Sequence, residues 1–412
     1  MKENPGETAI ILGMLVSDRN VQKNIRLGYL LVFLSNSFFW YAPWLLFLLN
    51  YITFPQAAVL QSIGLLTSVI SEIPTGVLAD LIGKKKTLNM AFLLTGLGET
   101  YMAFSTSYPQ FIASYIILNV GYSFYSGTME AFAYDTLASD KQESEYDKVV
   151  AKSQASSNAG TAISSIAGGF MYSLWLGLPF LATGVAKFVG FVVSLFIDEP
   201  KVDTEKFSFR NFALQSKKGF QHLFDKKLLG FTLLLLTFSI FHVPAQEILD
   251  DITVIDYGYA AKAIGILYAA AVFIAIPSSL LYEKITKRIK PVKLIYFGIL
   301  VLTLNYLFTP WIGIVPWTIL LLLRVAYSPL RSNAISQIIN KNTDSSIRAT
   351  TLSTYSMLKI IPFVLLSGYI GIASEKIGIR NFDAIFFGIL LFVTLPQIIG
   401  LLKSGFELEK SS

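Results

Sequence analysis

The chain has 412 residues, of which 53% are hydrophobic and only 15% charged, and its mean hydropathy is +0.57. An ordinary soluble domain carries about 25% charged residues, so this surface could not be kept in water and a soluble fold is excluded. The absence of cysteine excludes disulfides and cysteine-held metals, two histidines are too few for a His-based zinc site, and a formal charge of +6 raises nucleic acid only until the charges are located along the chain.

Residues 1–26 read as a cytoplasmic segment. Ala9–Val16 is a short helix within it and not a signal peptide, because Glu3 and Glu7 precede it where a basic region would be needed. Twelve apolar segments follow, at 27–49, 58–80, 87–106, 109–134, 153–174, 178–197, 228–246, 263–282, 294–310, 314–336, 350–372 and 382–402. Each can cross about 30 Å of hydrocarbon as a helix, the form that satisfies its own backbone in lipid. Pro, Gly or lysine clusters separate them, as at Gly83-Lys84-Lys85-Lys86 and Gly177-Leu178-Pro179. The polar stretch 198–227 is a cytoplasmic linker between a first six-helix bundle, 27–197, and a second, 228–402; a cytoplasmic tail, 403–412, ends the chain. The predicted fold is all-α integral membrane, twelve transmembrane helices in two six-helix halves.

With the N-terminus inside, 27 of the 33 Lys and Arg residues fall at the inner ends and connections, Arg331 among them; three, Lys262, Lys376 and Arg380, fall outside. This bias puts both termini in the cytoplasm and explains the basic balance by topology and anionic headgroups, with no nucleic acid needed.

Polar residues inside the segments mark candidate sites, since an ion in hydrocarbon is costly and polar stripes should face the bundle interior or water. Span four carries Asn119, Ser123, Ser126 and Glu130 at i, i+4, i+7 and i+11; span ten carries Arg324, Ser328 and Arg331 at i, i+4 and i+7. Each set lies on one helix face. The serines serve either a cavity or helix packing. Glu130 is the candidate proton carrier. Arg324 and Lys359 of span eleven either form a cationic surface suited to an anionic solute or each pair with a carboxylate. Asn36, Trp40 and Tyr41 in span one, with His242 and Gln246 in span seven, are further lining candidates. Glu99 and Lys187, in spans three and six, could form a structural ion pair.

Between spans two and three stands Gly76-Val77-Leu78-Ala79-Asp80-Leu81-Ile82-Gly83-Lys84-Lys85-Lys86. It resembles the G-x-L-A-D-R-x-G-R/K-K/R loop signature of the major facilitator superfamily, departing at Leu81, where that family has a basic residue. Glu72-Ile73-Pro74-Thr75-Gly76, Ser126 to Asp135 and Arg348 to Ser353 are similar to segments of its drug-efflux-like members. The resemblance covers about 25–400. It assigns Glu72, Gly76, Asp80, Gly83, Lys84 and Lys85 to a gating loop, and lines a central cavity with spans one, four, seven and ten. Two positions depart from the proton-antiporter pattern: Ser164-Ser165 replaces Gly-Pro within Gly160–Gly169, and Ile117 stands where an arginine is common.

The resemblance implies a secondary active transporter working by alternating access, with proton-coupled export of amphipathic small molecules as one reading and uptake or exchange of an organic anion or metabolite as the other. Its partners would be a small-molecule substrate, a proton and the bilayer; no cofactor is implied, and the chain is expected to work as a monomer. No Ser/His/Asp constellation and no G-x-x-x-x-G-K-[ST] loop supports an enzyme or an ATPase. A channel would need a constitutive polar pore, which a two-fold internal organisation fits less well.

Overall fold

The computed structural model describes residues 5–200, 209–344 and 347–403, and every regular element among them is a helix. Six helical stretches among these residues are long and apolar enough to cross a membrane: Phe54–Glu72, Leu229–Asp256, Ala261–Thr286, Ile314–Lys341, Thr350–Ile377 and Ile379–Lys403. Leu178–Ser194 and Pro291–Leu307 are apolar but shorter. The tail beyond Lys403 and linker residues 201–208 lie outside the described residues.

Two units emerge, and their boundary differs from the chain-order split expected from sequence. Unit 1 comprises Met1–Trp44 and Leu66–Phe207; unit 2 comprises Leu45–Leu65 and Ser208–Ser412. Helix α1 (Pro5–Ser35) is continuous, so Ala9–Val16 is not a separate helix. It stops inside the first predicted span. A 3-10 turn (Phe39–Tyr41) and the short α2 (Trp44–Leu48) follow. Helix α3 (Phe54–Ile82) is shared between the units, changing allegiance after Leu65. Helices α4 (Lys84–Phe104), α5 (Tyr108–Tyr125), α6 (Thr128–Ala138), α7 (Tyr146–Tyr172) and α8 (Leu178–Ser194) complete unit 1.

Local chemistry sets these ends. Pro109 and Pro179 open α5 and α8 in the first turn, where a missing N–H costs nothing. Gln110 Oε1 accepts from the backbone N–H of Ser107 at 3.1 Å, as in a capping box. The fourth predicted span is not one helix: α5 ends at Tyr125, and Gly127 turns the chain at a φ of 72° before α6. The core of unit 1 gathers Leu31, Leu88, Phe92 and Phe132.

Helix α7 crosses the break after α1 at very close range. A Cβ on Gly168 would fall onto the carbonyl of Phe39, whereas one on Gly76, in the exposed part of α3, would meet no described atom within 4 Å. Gly168→Ala is therefore expected to destabilise by about 1–3 kcal/mol through overpacking, while Gly76→Ala should be neutral or stabilising by up to about 1 kcal/mol through helix propensity. Thermal unfolding of the two variants checks this; equal behaviour would refute it.

In unit 2, α9 (Phe209–Leu223) lies within the predicted linker. Helix α10 (Leu229–Pro244) gives way to a π turn (Ala245–Leu249) and then α11 (Asp250–Asp256), so the seventh segment runs ten residues past its predicted end. Next come α12 (Ala261–Thr286), α13 (Pro291–Leu307) and α14 (Ile314–Lys341). The eleventh segment divides at Lys359 into α15 (Arg348–Leu358) and α16 (Ile361–Ile377), and α17 (Ile379–Lys403) ends the unit. The segment Leu45–Leu65 joins unit 2 because its Pro55 seats on Gly371 of α16, and Ser62 Oγ donates to the Phe363 carbonyl at 3.5 Å.

Candidate functional site

Each unit buries its own charged cluster. In unit 1, α1 ends at Ser35, whose carbonyl has no backbone donor among the described residues. Lys187 of α8, 1% exposed, donates from Nζ to the Leu34 oxygen at 3.2 Å and to the Ser35 oxygen, and lies 4.2 Å from the Phe38 ring centroid. A cation at a helix C-terminus suits the macrodipole. Glu99 of α4 is fully buried; its Oε1 accepts from Trp40 Nε1 at 2.8 Å and Tyr122 Oη at 2.9 Å, leaving Oε2 without a described partner. Glu99 and Lys187 are close enough for each charge to favour the other, though no hydrogen bond or ion pair joins them directly. Sequence left their partners open. The structure brings the two together around the break in the first span.

The loop signature is held by residues that sequence assigned elsewhere. Gly83 takes a φ of 89°, where a side chain would be strained. Helix α4 starts immediately after, and Glu199 accepts from its first N–H groups, Lys84 at 2.7 Å and Lys85 at 2.8 Å. Lys84 Nζ pairs with Asp135 of α6 at 2.5 Å. Asp198 pairs with Lys23 at 3.0 Å and exchanges hydrogen bonds with Asn24. Sequence placed Asp198 and Glu199 in a passive linker; the signal available was a pair of acids directly after an apolar span. Glu72 and Leu81 are exposed, and the side chain of Asp80 lies outside the described residues.

In unit 2 the π turn carries the site. Pro244 ends the regular part of α10, and the wider turn presents Glu247 and Asp250; π turns of this kind recur at functional sites. Asp250 accepts from Arg324 of α14 and from the hydroxyl of Tyr306, while the Tyr268 hydroxyl donates to Asp251. The Arg324 guanidinium also lies 5.6 Å from the Tyr306 ring, which stacks on Phe387 at 4.1 Å. Fully buried Asp383 of α17 accepts from Thr253 at 2.8 Å. Glu247 accepts from Gln61 at 3.0 Å and feels the charge of Lys359 at the α15–α16 break.

The sequence-selected residues divide accordingly. Arg324, Ser328 and Arg331 share a face of α14, and Arg331 reaches Ser328 at 3.1 Å and His242 at 2.9 Å. Arg331 is buried within unit 2. The span-four stripe is cut: Asn119 bonds Ser68 at 2.8 Å and Ser123 bonds the Ser68 carbonyl at 3.2 Å, both knitting α5 to α3. Ser126 ends α5, and Glu130 is exposed in the first turn of α6 beyond the break. Asn36 closes the end of α1 through the Val32 carbonyl at 2.9 Å; Tyr41 is exposed beside Trp40. Asp250, Asp251, Asp383 and Glu247 escaped the sequence reading. The signal for Asp383 was its position inside the last apolar segment, where any ionisable residue counts.

Residues 26–366 match the sequence profile of the Major Facilitator Superfamily. A Bacillus subtilis (strain 168) protein described as the uncharacterized MFS-type transporter YxaM is 25% identical over 371 residues, covering 86% of this chain and 89% of that one. Among solved structures, a variant of the nucleoside transporter NupG has a TM-score of 0.77 at 14% identity, covering 91% of this chain and all of that one. A POT family transporter with a bound conjugated peptide has 0.72 at 14% identity (94% and 96% covered), and a D-xylose-proton symporter 0.66 at 15% (93% and 97%). These solved structures share the fold. With the profile matched over most of its length, the chain belongs to the Major Facilitator Superfamily and has the fold of a secondary transporter.

Proposed function

We propose that this chain is a proton-coupled carrier of a small polar organic solute, working by alternating access as twelve transmembrane helices with both termini in the cytoplasm. The observation that carries the reading is the Arg324–Asp250 pair, directly after the π turn of unit 2. A buried ion pair adds little or nothing to stability over apolar packing, so its presence among apolar helices speaks for a role in the transport cycle. Proton arrival at Asp250 would release Arg324, and proton departure would restore the pair. Protein and lipid suffice for this cycle, and a single chain is its unit.

Two directions of coupling are separable. The Glu72–Gly76 and Ser126–Asp135 segments, similar to drug exporters, support proton-driven export of amphipathic compounds, with Glu130 as an additional proton carrier. The shared fold with a D-xylose-proton symporter supports the alternative, inward transport together with protons.

The test is lumenal pH in inside-out vesicles with an acidic lumen, given nucleosides, D-xylose, dipeptides, organic anions and lipophilic cations. Export predicts that a solute added outside raises lumenal pH; symport predicts the rise only when the solute is preloaded in the lumen. In either case Asp250→Asn should abolish the proton movement, while Glu130→Gln abolishes it only if the drug-export reading holds. Exchange of a labelled solute with no proton movement would overturn proton coupling.

A further inference from the structure

Unit 2 buries two arginines, Arg324 and Arg331, and among the described residues only one of them is answered by a carboxylate. Arg324 pairs with Asp250, Arg380 pairs with Asp256 at 2.6 Å, and Lys359 shares the field of Glu247. Arg331 is only 4% exposed and has no carboxylate partner among the described residues. One Nη donates to Nε2 of His242 at 2.9 Å and to Ser328 Oγ at 3.1 Å, and the guanidinium lies 5.1 Å from the Phe238 ring centroid.

A guanidinium can only donate. The His242 Nε2 that receives it is therefore bare, and the ring proton sits on Nδ1. That Nδ1 is buried and has no acceptor among the described residues. A full positive charge is thus left without a carboxylate and, on the far side of the imidazole, an N–H donor without an acceptor, among the described residues. A buried charge of this kind costs stability unless something neutralises it.

The place is shaped for it. A Cβ on Gly298 of α13 would lie 2.9 Å from Arg331 Cδ, so the missing side chain is what lets the arginine stem pass. His242 and Ser328 are half-buried, which puts the guanidinium just beneath the accessible surface of the unit. Arg324, the cation that sequence offered for an anion, is already spent on Asp250.

We propose that Arg331, backed by His242 and Ser328, is an oxyanion subsite that takes the carboxylate or phosphate group of a small organic solute. This rests on the carrier reading above and gives it a substrate class.

The test uses the full chain in nanodiscs of zwitterionic lipid and follows thermal unfolding with inorganic phosphate, lactate, succinate and glycerol 3-phosphate against lactamide, succinamide and glycerol. At least one oxyanion should raise Tm saturably where its neutral counterpart does not. The midpoint concentration should rise tenfold or more in Arg331→Met and by less in Arg331→Lys. Without ligand, Arg331→Met should melt no lower than the parent, because it removes an unanswered charge; a purely structural arginine predicts a clear drop.

No protection by any oxyanion, equal protection by neutral counterparts, undiminished protection of Arg331→Met, or a fall of several degrees in its unliganded Tm would each overturn the subsite. Protection only by added phosphatidylglycerol would reassign it to a lipid headgroup. Proton-coupled flux of neutral solutes alone would sink the subsite and leave the carrier standing; anion binding without any solute flux would do the reverse.

Discussion

Arg324→Leu is expected to be among the most damaging single changes in the chain, lowering stability by about 3–5 kcal/mol because the largely covered Asp250 is left without its cation. The Tyr306 hydroxyl would still donate to Asp250 but could not neutralise it. Replacing both partners, Asp250→Leu with Arg324→Leu, should recover most of that loss, since no uncompensated charge remains. Transport should stay absent in both variants. Thermal unfolding in lipid nanodiscs gives the stability ordering, and vesicle flux gives the activity. A single variant as stable as the parent would mean that the pair is not formed, and an active double variant would remove it from the mechanism.

Lys187→Leu should be comparably severe, again about 3–5 kcal/mol, but with a different recovery pattern. Lys187 neutralises the field of Glu99 and also serves the carbonyls of Leu34 and Ser35 at the end of α1. Adding Glu99→Gln removes the stranded charge and keeps acceptors for Trp40 and Tyr122, yet the Ser35 carbonyl remains unserved at about 1 kcal/mol or more, while Leu34 keeps only the Ser37 N–H at 3.3 Å. The double variant should therefore recover only in part, where the Arg324 and Asp250 pair recovers nearly fully. Unfolding curves for the two cycles side by side decide the matter. Full recovery at Lys187 and Glu99 would show that the end of α1 needs no cap.

Much of the architecture was readable because lipid makes the rule simple: apolar runs near 20 residues become helices. Helix underlies most of each predicted segment from Leu27 to Leu402. What the pattern did not carry is where those helices interrupt themselves. Periodicity placed Ser126 and Glu130 on one face with Asn119, but the argument assumes an unbroken helix, and Gly127 ends it. The acidic Asp250-Asp251 pair looked like the edge of the hydrocarbon, so the seventh segment was closed before reaching the residue that receives Arg324. In the first case a break inside the segment was read through, and in the second the segment was ended too early. The stripe on α14 survived because that helix runs unbroken from Ile314 to Lys341. Pairings between distant segments, such as Glu99 with Lys187 or Glu199 with Lys84, depend on packing that no local pattern encodes.

The carboxylate of Glu199 on the first turn of α4 has a consequence for biogenesis. The N–H groups of Lys84 and Lys85 emerge from the ribosome more than a hundred residues before the group that receives them. During that interval the loop can rely only on water and lipid headgroups. This end of unit 1 therefore closes late, once the chain has been made through residue 199, just past the sixth apolar segment, so its completion reports that the first six segments have been made.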